Sequence, residues 1–184
     1  SGGRTGLSGG AVAANGEVVV AMDLMNRVLG FNALDRSVQV QAGVVTKQLQ
    51  DFAEEKGLYY PVDFASAGSS QLGGNIGTNA GGIKVIRYGM TRNWISGLKV
   101  VTGQGDILEL NKGLAKNATG YDLRHLFIGS EGTLGFVVEA TVLLNAAHDG
   151  LELIRFLGDR VANLVELRAR RHPDQFALPD HQPG

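Results

Sequence analysis

The residues best placed to do chemistry in this chain are glycines and the small polar residues among them. A first cluster runs Gly2-Gly3-Arg4-Thr5-Gly6-Leu7-Ser8-Gly9-Gly10. Glycine tolerates positive φ and lets backbone approach a ligand closely. Successive N–H groups turned the same way form a concave anion site. Arg4 adds a charge, and Thr5 and Ser8 add hydroxyls, a donor set that suits a pyrophosphate. Taken alone, the run is also compatible with a plain turn. It is not a P-loop, because the Gly-Lys-Ser/Thr ending is missing. It is not the Rossmann fingerprint either, because the order of strand, loop, helix and distant acid is absent.

A second stretch, from Pro61-Val62-Asp63 to Gly81-Gly82, is dominated by Gly, Ala, Ser and Asn. Backbone with so few bulky side chains can lie against a large flat ligand, with Ser69, Asn75, Thr78 and Asn79 giving directional hydrogen bonds. A flexible surface loop is the other reading. The third stretch, Gly129-Ser130-Glu131-Gly132-Thr133-Leu134-Gly135-Phe136-Val137, is a glycine-rich turn entering a strand. A tight turn with a solvated Glu131 explains it equally well.

The segments between these stretches carry the signals of regular structure. Val18 to Met22, Val28 to Leu34 and Ser37 to Ala42 are β-type runs, the last two joined through Asp35-Arg36. Leu49, Phe52 and Ala53 recur at helical spacing after Thr46, a fitting N-cap, and Lys56-Gly57 is a fitting stop. Gly97–Thr102 and Asp106–Leu110 flank the turn Gly103-Gln104-Gly105 as a hairpin. Tyr121 to Phe127 suits a short helix, and Thr133 to Leu144 a strand. Leu153 to Arg171 suits a helix before a proline-punctuated end.

Composition narrows the function classes. The chain has 184 residues, 43% hydrophobic and 19% charged, which is globular and suits one domain or two small subdomains. A net charge of −1 gives no electrostatic case for nucleic acid or an anionic membrane. With no cysteine there is no disulfide, thiolate metal site, thiol nucleophile or flavin linked through sulfur. That is compatible with a reducing compartment, and a cytoplasmic location is expected, with membrane-peripheral in the parent, or organellar in a eukaryote, as the alternatives. No run approaches the roughly 20 apolar residues of a membrane span. The chain starts without Met inside the first glycine cluster, so preceding residues are expected.

In their order, the three stretches resemble the FAD-linked oxidases of the vanillyl-alcohol oxidase type. The resemblance is greatest to the branch of glycolate oxidase flavin subunits, D-lactate dehydrogenases and D-2-hydroxyglutarate dehydrogenases. It extends through Arg87-Tyr88-Gly89-Met90-Thr91-Arg92 and Lys116-Asn117-Ala118-Thr119-Gly120-Tyr121-Asp122-Leu123, and covers residues 1 to about 145. It implies an α+β fold, the PCMH-type FAD-binding domain made of two α/β subdomains. That domain would be incomplete at the N-terminus and lack most of the cap domain. Residues 1–34 would be the remnant of the first subdomain and 35–145 the second, while the tail 146–184 departs from the family pattern and is either the start of the cap or a stretch unrelated to it.

The resemblance also assigns roles. Gly3, Arg4, Thr5, Gly6, Leu7 and Ser8 would hold the pyrophosphate of FAD. Pro61, Asp63, Gly68, Ser69, Gly73, Gly74, Asn75, Thr78, Ala80 and Gly81 would pass along the ribityl and isoalloxazine. Glu131, Gly132 and Val137 would line the adenine end. Relatives that attach the flavin covalently use a histidine in the first loop. None lies there, so non-covalent FAD is expected, with His125 structural. Arg87, Tyr88 and Lys116 are the candidates to face the flavin or substrate, although Arg87 serves equally as a strap over the flavin loop. The implied activity is oxidation of a D-2-hydroxy acid to the 2-oxo acid, with electrons leaving to a quinone, a cytochrome or an electron-transfer flavoprotein. No metal is expected in these residues, and a divalent metal only in the cap domain. A flavin-binding subunit without catalysis, or an inactive truncated product, are the other readings.

Overall fold

Alternation sets the central sheet. In Ser37–Gln41 (SVQVQ), Val38 and Val40 point one way and are fully buried, while Gln39 between them is exposed. In the computed structural model, which describes residues 1–114 and 116–146, the strands are β1 (Val28–Asn32), β2 (Ser37–Gln41), β3 (Leu58–Tyr59), β4 (Ile95–Thr102), β5 (Ile107–Leu110), β6 (Gly135–Leu143) and β7 (Asn145–Ala146). The helices are α1 (Thr46–Glu55), α2 (Leu72–Gly77), α3 (Val85–Tyr88) and α4 (Arg124–Phe127), with a 3-10 turn at Thr91–Trp94.

Five strands form one antiparallel sheet in the order β1-β2-β6-β4-β5, and β3 pairs with β7. The register sets Val40 opposite Ala140 and Leu98 opposite both Ala140 and Leu110, so buried side chains meet on one face. Leu49 and Ala53 of α1, Leu72 and Ile76 of α2, and Tyr60, Val62, Phe127 and Ile128 complete this core. The expected subdomain boundary at 34/35 falls in the β1–β2 turn, and the two strands pair across it. There Asn32 Oδ1 accepts from the N–H groups of Leu34 (3.0 Å) and Asp35 (3.2 Å), which ends β1 two residues short of its expected end.

Other elements depart from the sequence reading for identifiable reasons. Val18 to Met22 is not a strand: it pairs with no strand among the described residues, and Val18, Val19 and Val20 are exposed. Thr46 is the first helical residue rather than the N-cap, and Val45 precedes it without a side-chain cap. The Thr46 hydroxyl is used inward instead. Its Oγ1 lies 2.7 Å from Ser70 Oγ and accepts from Asn75 Nδ2 at 2.8 Å. The helix α2 was not foreseen at all. Its three glycines argue against it, but Leu72 and Ile76 lie one turn apart and both are fully buried, so core packing overrides propensity. The expected 121–127 helix narrows to α4, because Asp122 Oδ1 accepts from Arg124 N–H (3.2 Å) at its start. The expected 153–171 helix and nearly all of the expected tail lie outside the described residues.

The buried trio Thr46, Ser70 and Asn75 joins α1, α2 and the loop between them. Thr46→Val keeps the side-chain shape but leaves the Asn75 amide without its acceptor. The expected loss is about 1–3 kcal/mol of unfolding free energy, read from urea denaturation, with far-UV circular dichroism unchanged.

Candidate functional site

Backbone contact alone brings the glycine stretches together. A Cβ on Gly3 would lie 2.0 Å from the Ser69 carbonyl oxygen, and one on Gly73 would lie 2.8 Å from Ala42 Cβ. Neither distance is possible for a real side chain, so the first stretch packs on the second, and the second on the strand side, only as glycine. The N–H groups at the start of α2 are already taken: Leu72 donates to Val44 O (2.9 Å) and Gly73 to Ala42 O (2.7 Å). At its other end, Ile76 O accepts from Gly129 N–H (3.0 Å) and Gly77 O from Glu131 N–H (2.8 Å). The third stretch is thereby fixed to the second. Arg92 secures it further, donating to Ile128 O at 2.6 Å and His125 O at 3.1 Å. His125 Nδ1 sits 2.8 Å from the same guanidinium, a structural role.

These contacts enclose a cavity of about 500 Å³, within the roughly 300–1,000 Å³ typical of small-molecule sites. Of the residues singled out in the sequence, Gly3, Arg4, Thr5, Gly6 and Ser8 line it from the first stretch. Gly73, Gly74, Asn75, Thr78 and Ala80 line it from the second, and Glu131, Gly132 and Val137 from the third. Several others lie off its wall. Leu7 projects into solvent, Pro61 is buried beside Val62, and the Ser69 carbonyl supports Gly3. Gly68, Gly81 and the exposed Lys116 do not line it either. The wall also includes Met22, Phe64, Gln71, Phe127 and Phe136, which the sequence reading did not single out. The aromatic residues in or beside the second and third stretches were the available signal for three of them. Gln71 gave none, since only the fold buries it.

The donors of the first stretch are unspent. Among the described residues, no backbone N–H from Gly2 to Ala11 donates to a protein acceptor. Arg4 adopts φ 55° within this run, and Gly9 φ 77°. Among the described residues, no group of three or more His, Cys, Asp or Glu is placed to hold a metal ion, and no helix is long and apolar enough to cross a membrane.

Asp63, Arg87 and Tyr88 belong to a neighbouring structure. Asp63 O accepts from Ile83 N–H at 2.9 Å and occupies the place of any Cβ on Gly82, which has φ 77°. The Asp63 carboxylate pairs with Lys84 at 3.0 Å and accepts from Gln50 Nε2 at 3.4 Å, while Lys84 also bonds the Tyr59 hydroxyl. Tyr88 packs edge-on against Tyr59 and Trp94, with the Arg87 guanidinium 5.2 Å from its ring centre. This cluster straps the 82–89 segment to the end of the 59–63 segment.

Partial burial works to raise the Asp63 pKa, but hydrogen bonds from Lys84 and Gln50 and the Lys84 charge outweigh it and hold the carboxyl below its usual value. A depressed acid stabilises the fold above its unfolded pKa of about 4 and loses that contribution as pH falls through the folded value. Asp63→Asn is therefore expected to melt lower than wild type at pH 7. The difference should close as pH is lowered from about 5 to 3, measured by thermal denaturation across that range.

Comparison with known proteins adds identity to this geometry. Residues 1–111 match the FAD binding domain family. The chain is 79% identical over 144 residues to D-2-hydroxyglutarate dehydrogenase of Stutzerimonas stutzeri (strain A1501), covering 78% of this chain and 31% of that protein. It is 65% identical to the protein of that name from Xanthomonas citri pv. viticola, over 78% of this chain and 30% of that one. It is 44% identical to the mitochondrial D-2-hydroxyglutarate dehydrogenase of Arabidopsis thaliana, over 77% and 25%. The chain thus spans less than a third of the length of these relatives. A solved structure of alkyldihydroxyacetonephosphate synthase superposes with TM-score 0.68 at 29% identity, covering 79% of this chain and 26% of that one. The superposition and the mixed helix-and-strand architecture bear out the expected α+β, PCMH-type fold. With well over half of its residues matched, the chain belongs to the FAD binding domain family.

Proposed function

We propose that this chain binds FAD non-covalently in the cavity between its three glycine stretches, as part of an enzyme that oxidises a D-2-hydroxy acid, with D-2-hydroxyglutarate as the preferred substrate. One observation carries the cofactor reading: three stretches far apart in sequence share a cavity of about 500 Å³, next to a run of backbone N–H groups with no acceptor among the described residues. The residues fit the group. Free N–H donors with Arg4, Thr5 and Ser8 suit a pyrophosphate. The nearly side-chain-free surface of Gly73, Gly74 and Ala80 suits a flat ring system, and Asn75 and Thr78 add polar atoms at its edge. Among the described residues no histidine lines the wall, which supports non-covalent attachment.

When bound, the flavin supplies a hydride acceptor for the α-carbon of the hydroxy acid. The residues of this chain hold and orient that group and keep water from its faces. The substrate class follows the relatives named D-2-hydroxyglutarate dehydrogenase. Electrons would leave to a quinone, a cytochrome or an electron-transfer flavoprotein.

Binding is tested by mixing the purified chain with excess FAD, removing free ligand by gel filtration and recording the visible spectrum. Retained flavin that acid releases is the expected result, and a colourless protein overturns the reading. Thr5→Val with Gly6→Ala probes the first stretch. A Cβ on Gly6 meets nothing within 4 Å, so the fold tolerates the change. A loss of at least about five-fold in FAD affinity is expected, the scale of one or two hydrogen bonds. For the activity, the matching segment of the Stutzerimonas protein is replaced by this chain's residues. Flavin loading and dye reduction by D-2-hydroxyglutarate, above D-lactate, glycolate and D-malate, should both persist. A flavin-loaded chimera that fails to prefer D-2-hydroxyglutarate overturns the substrate assignment.

A further inference from the structure

Arg92 ties the second glycine stretch to the third from outside the ligand cavity. Its backbone N–H donates to Asn79 Oδ1 at 3.0 Å, and Asn79 holds φ 49°. Its guanidinium donates to His125 O at 3.1 Å and to Ile128 O at 2.6 Å, just before the chain turns at Gly129 with φ 89°. A Cβ on Gly129 would lie 3.5 Å from both Arg92 Nη2 and Asn79 Cβ, so this joint is close-packed. Neither Arg92 nor His125 lines the cavity, whereas Ser130, Glu131 and Gly132, directly beyond the joint, do.

Of these Arg92 partners, only the His125 ring can gain a proton near neutral pH. Its Nδ1 lies 2.8 Å from Arg92 Nη1. A guanidinium has only donors and stays charged, so Nδ1 is the acceptor and the neutral ring carries its proton on Nε2. Nε2 faces Asp122 Oδ2 at 3.4 Å. Arg124 of α4 stands behind Asp122, donating from Nε to Oδ1 at 2.8 Å and from Nη2 to Oδ2. Those hydrogen bonds hold the Asp122 carboxyl below its usual range, so it stays charged where an imidazole titrates. The ring is partly exposed, and solvent protons reach it. A proton on Nδ1 would set donor against donor, and cation against cation, across the contact with Arg92.

We propose that Arg92 and His125 are positioning residues for FAD, and that the third stretch is held fully in place only while the His125 ring is neutral. Protonation drives the guanidinium from Nδ1 and slackens its hold on His125 O and Ile128 O. The wall that carries Ser130, Glu131 and Gly132 then loosens, and FAD affinity falls with pH. The backbone bonds from Gly129 to Ile76 O and from Glu131 to Gly77 O remain, so the effect is graded. This rests on the FAD reading above.

The test is a pH profile, which a merely structural pair would not move. FAD affinity is titrated by quenching of flavin fluorescence at about pH 8 and about pH 5.5, which bracket most of the range where an imidazole changes charge. Wild type should bind about three- to ten-fold more weakly at the acid end, the scale of one hydrogen bond. In His125→Asn, Oδ1 stands where Nδ1 does and accepts from Arg92, but takes up no proton, so the two affinities should come together. In Arg92→Lys, one ammonium cannot serve two carbonyls and a ring, so affinity should be lower at both pH values and the pH step smaller. A His125→Asn chain that keeps the wild-type pH step overturns the proposal, because the titrating group is then elsewhere. Wild-type affinity that is the same at both pH values overturns it too, as does full wild-type affinity in Arg92→Lys. Failure of wild type to bind FAD at either pH would instead remove the underlying reading.

Discussion

Helix α2 lies where it does because Gly73 has no side chain. Its Cα passes so close to Ala42 that a methyl group there would meet Ala42 Cβ at 2.8 Å, and that approach lets the Gly73 N–H reach Ala42 O at 2.7 Å. The helix is one and a half turns long and contains glycines, so it has little stability of its own. It is held at both ends by backbone hydrogen bonds, and Leu72 and Ile76 anchor it in the core between them. The positions of the other two glycine stretches follow from it. The third is bonded to the carbonyls at its C-terminal end, and the first lies across the residues at its start.

This arrangement gives the glycines different tasks, and Gly3 and Gly73 serve two of them, since both also line the cavity. Gly3, Gly73 and Gly82 are sites where protein meets protein, and a side chain at any of them would collide with backbone or core. Gly6 and Gly132 meet nothing within 4 Å and line the cavity, so their lack of a side chain leaves room there. The start of α2 is also not an anion site. Its leading N–H groups are bonded to the chain around residues 42–44, and the donors without a partner among the described residues belong to the irregular run Gly2 to Ala11. Irregular backbone with positive φ at Arg4 and Gly9 can present several N–H groups to one anion, which suits a pyrophosphate.

Polar side chains around the cavity act mainly as fasteners. Arg92 and Arg124 close carbonyl groups of the 121–131 segment and of Ile95, and Lys84 with Asp63 straps the loop beyond Ala80. The Asp63–Lys84 pair is partly exposed, and solvent screening keeps its contribution modest. Its value lies in fixing a turn whose glycine admits no alternative residue. Arg87 and Tyr88, which family resemblance put near the flavin, form part of the same aromatic strap and reach no part of the cavity wall.

The sequence by itself determined the ligand class and most of the sheet. Alternation in Ser37–Gln41 and the Gly103-Gln104-Gly105 turn between two apolar runs are local signals, and local backbone preferences are enough to read them. The order of the glycine stretches was legible for the same reason: unusual composition needs no partner to be seen. Tertiary structure alone decided which glycines face the cavity, that LGGNIG is a helix, that Thr46 turns inward and that Val18 to Val20 stay out of the sheet. Each of those outcomes depends on contacts between residues far apart in the chain. A glycine needed for packing and one needed for a ligand look identical in a sequence, and what lies opposite the missing side chain is set only when the chain is folded.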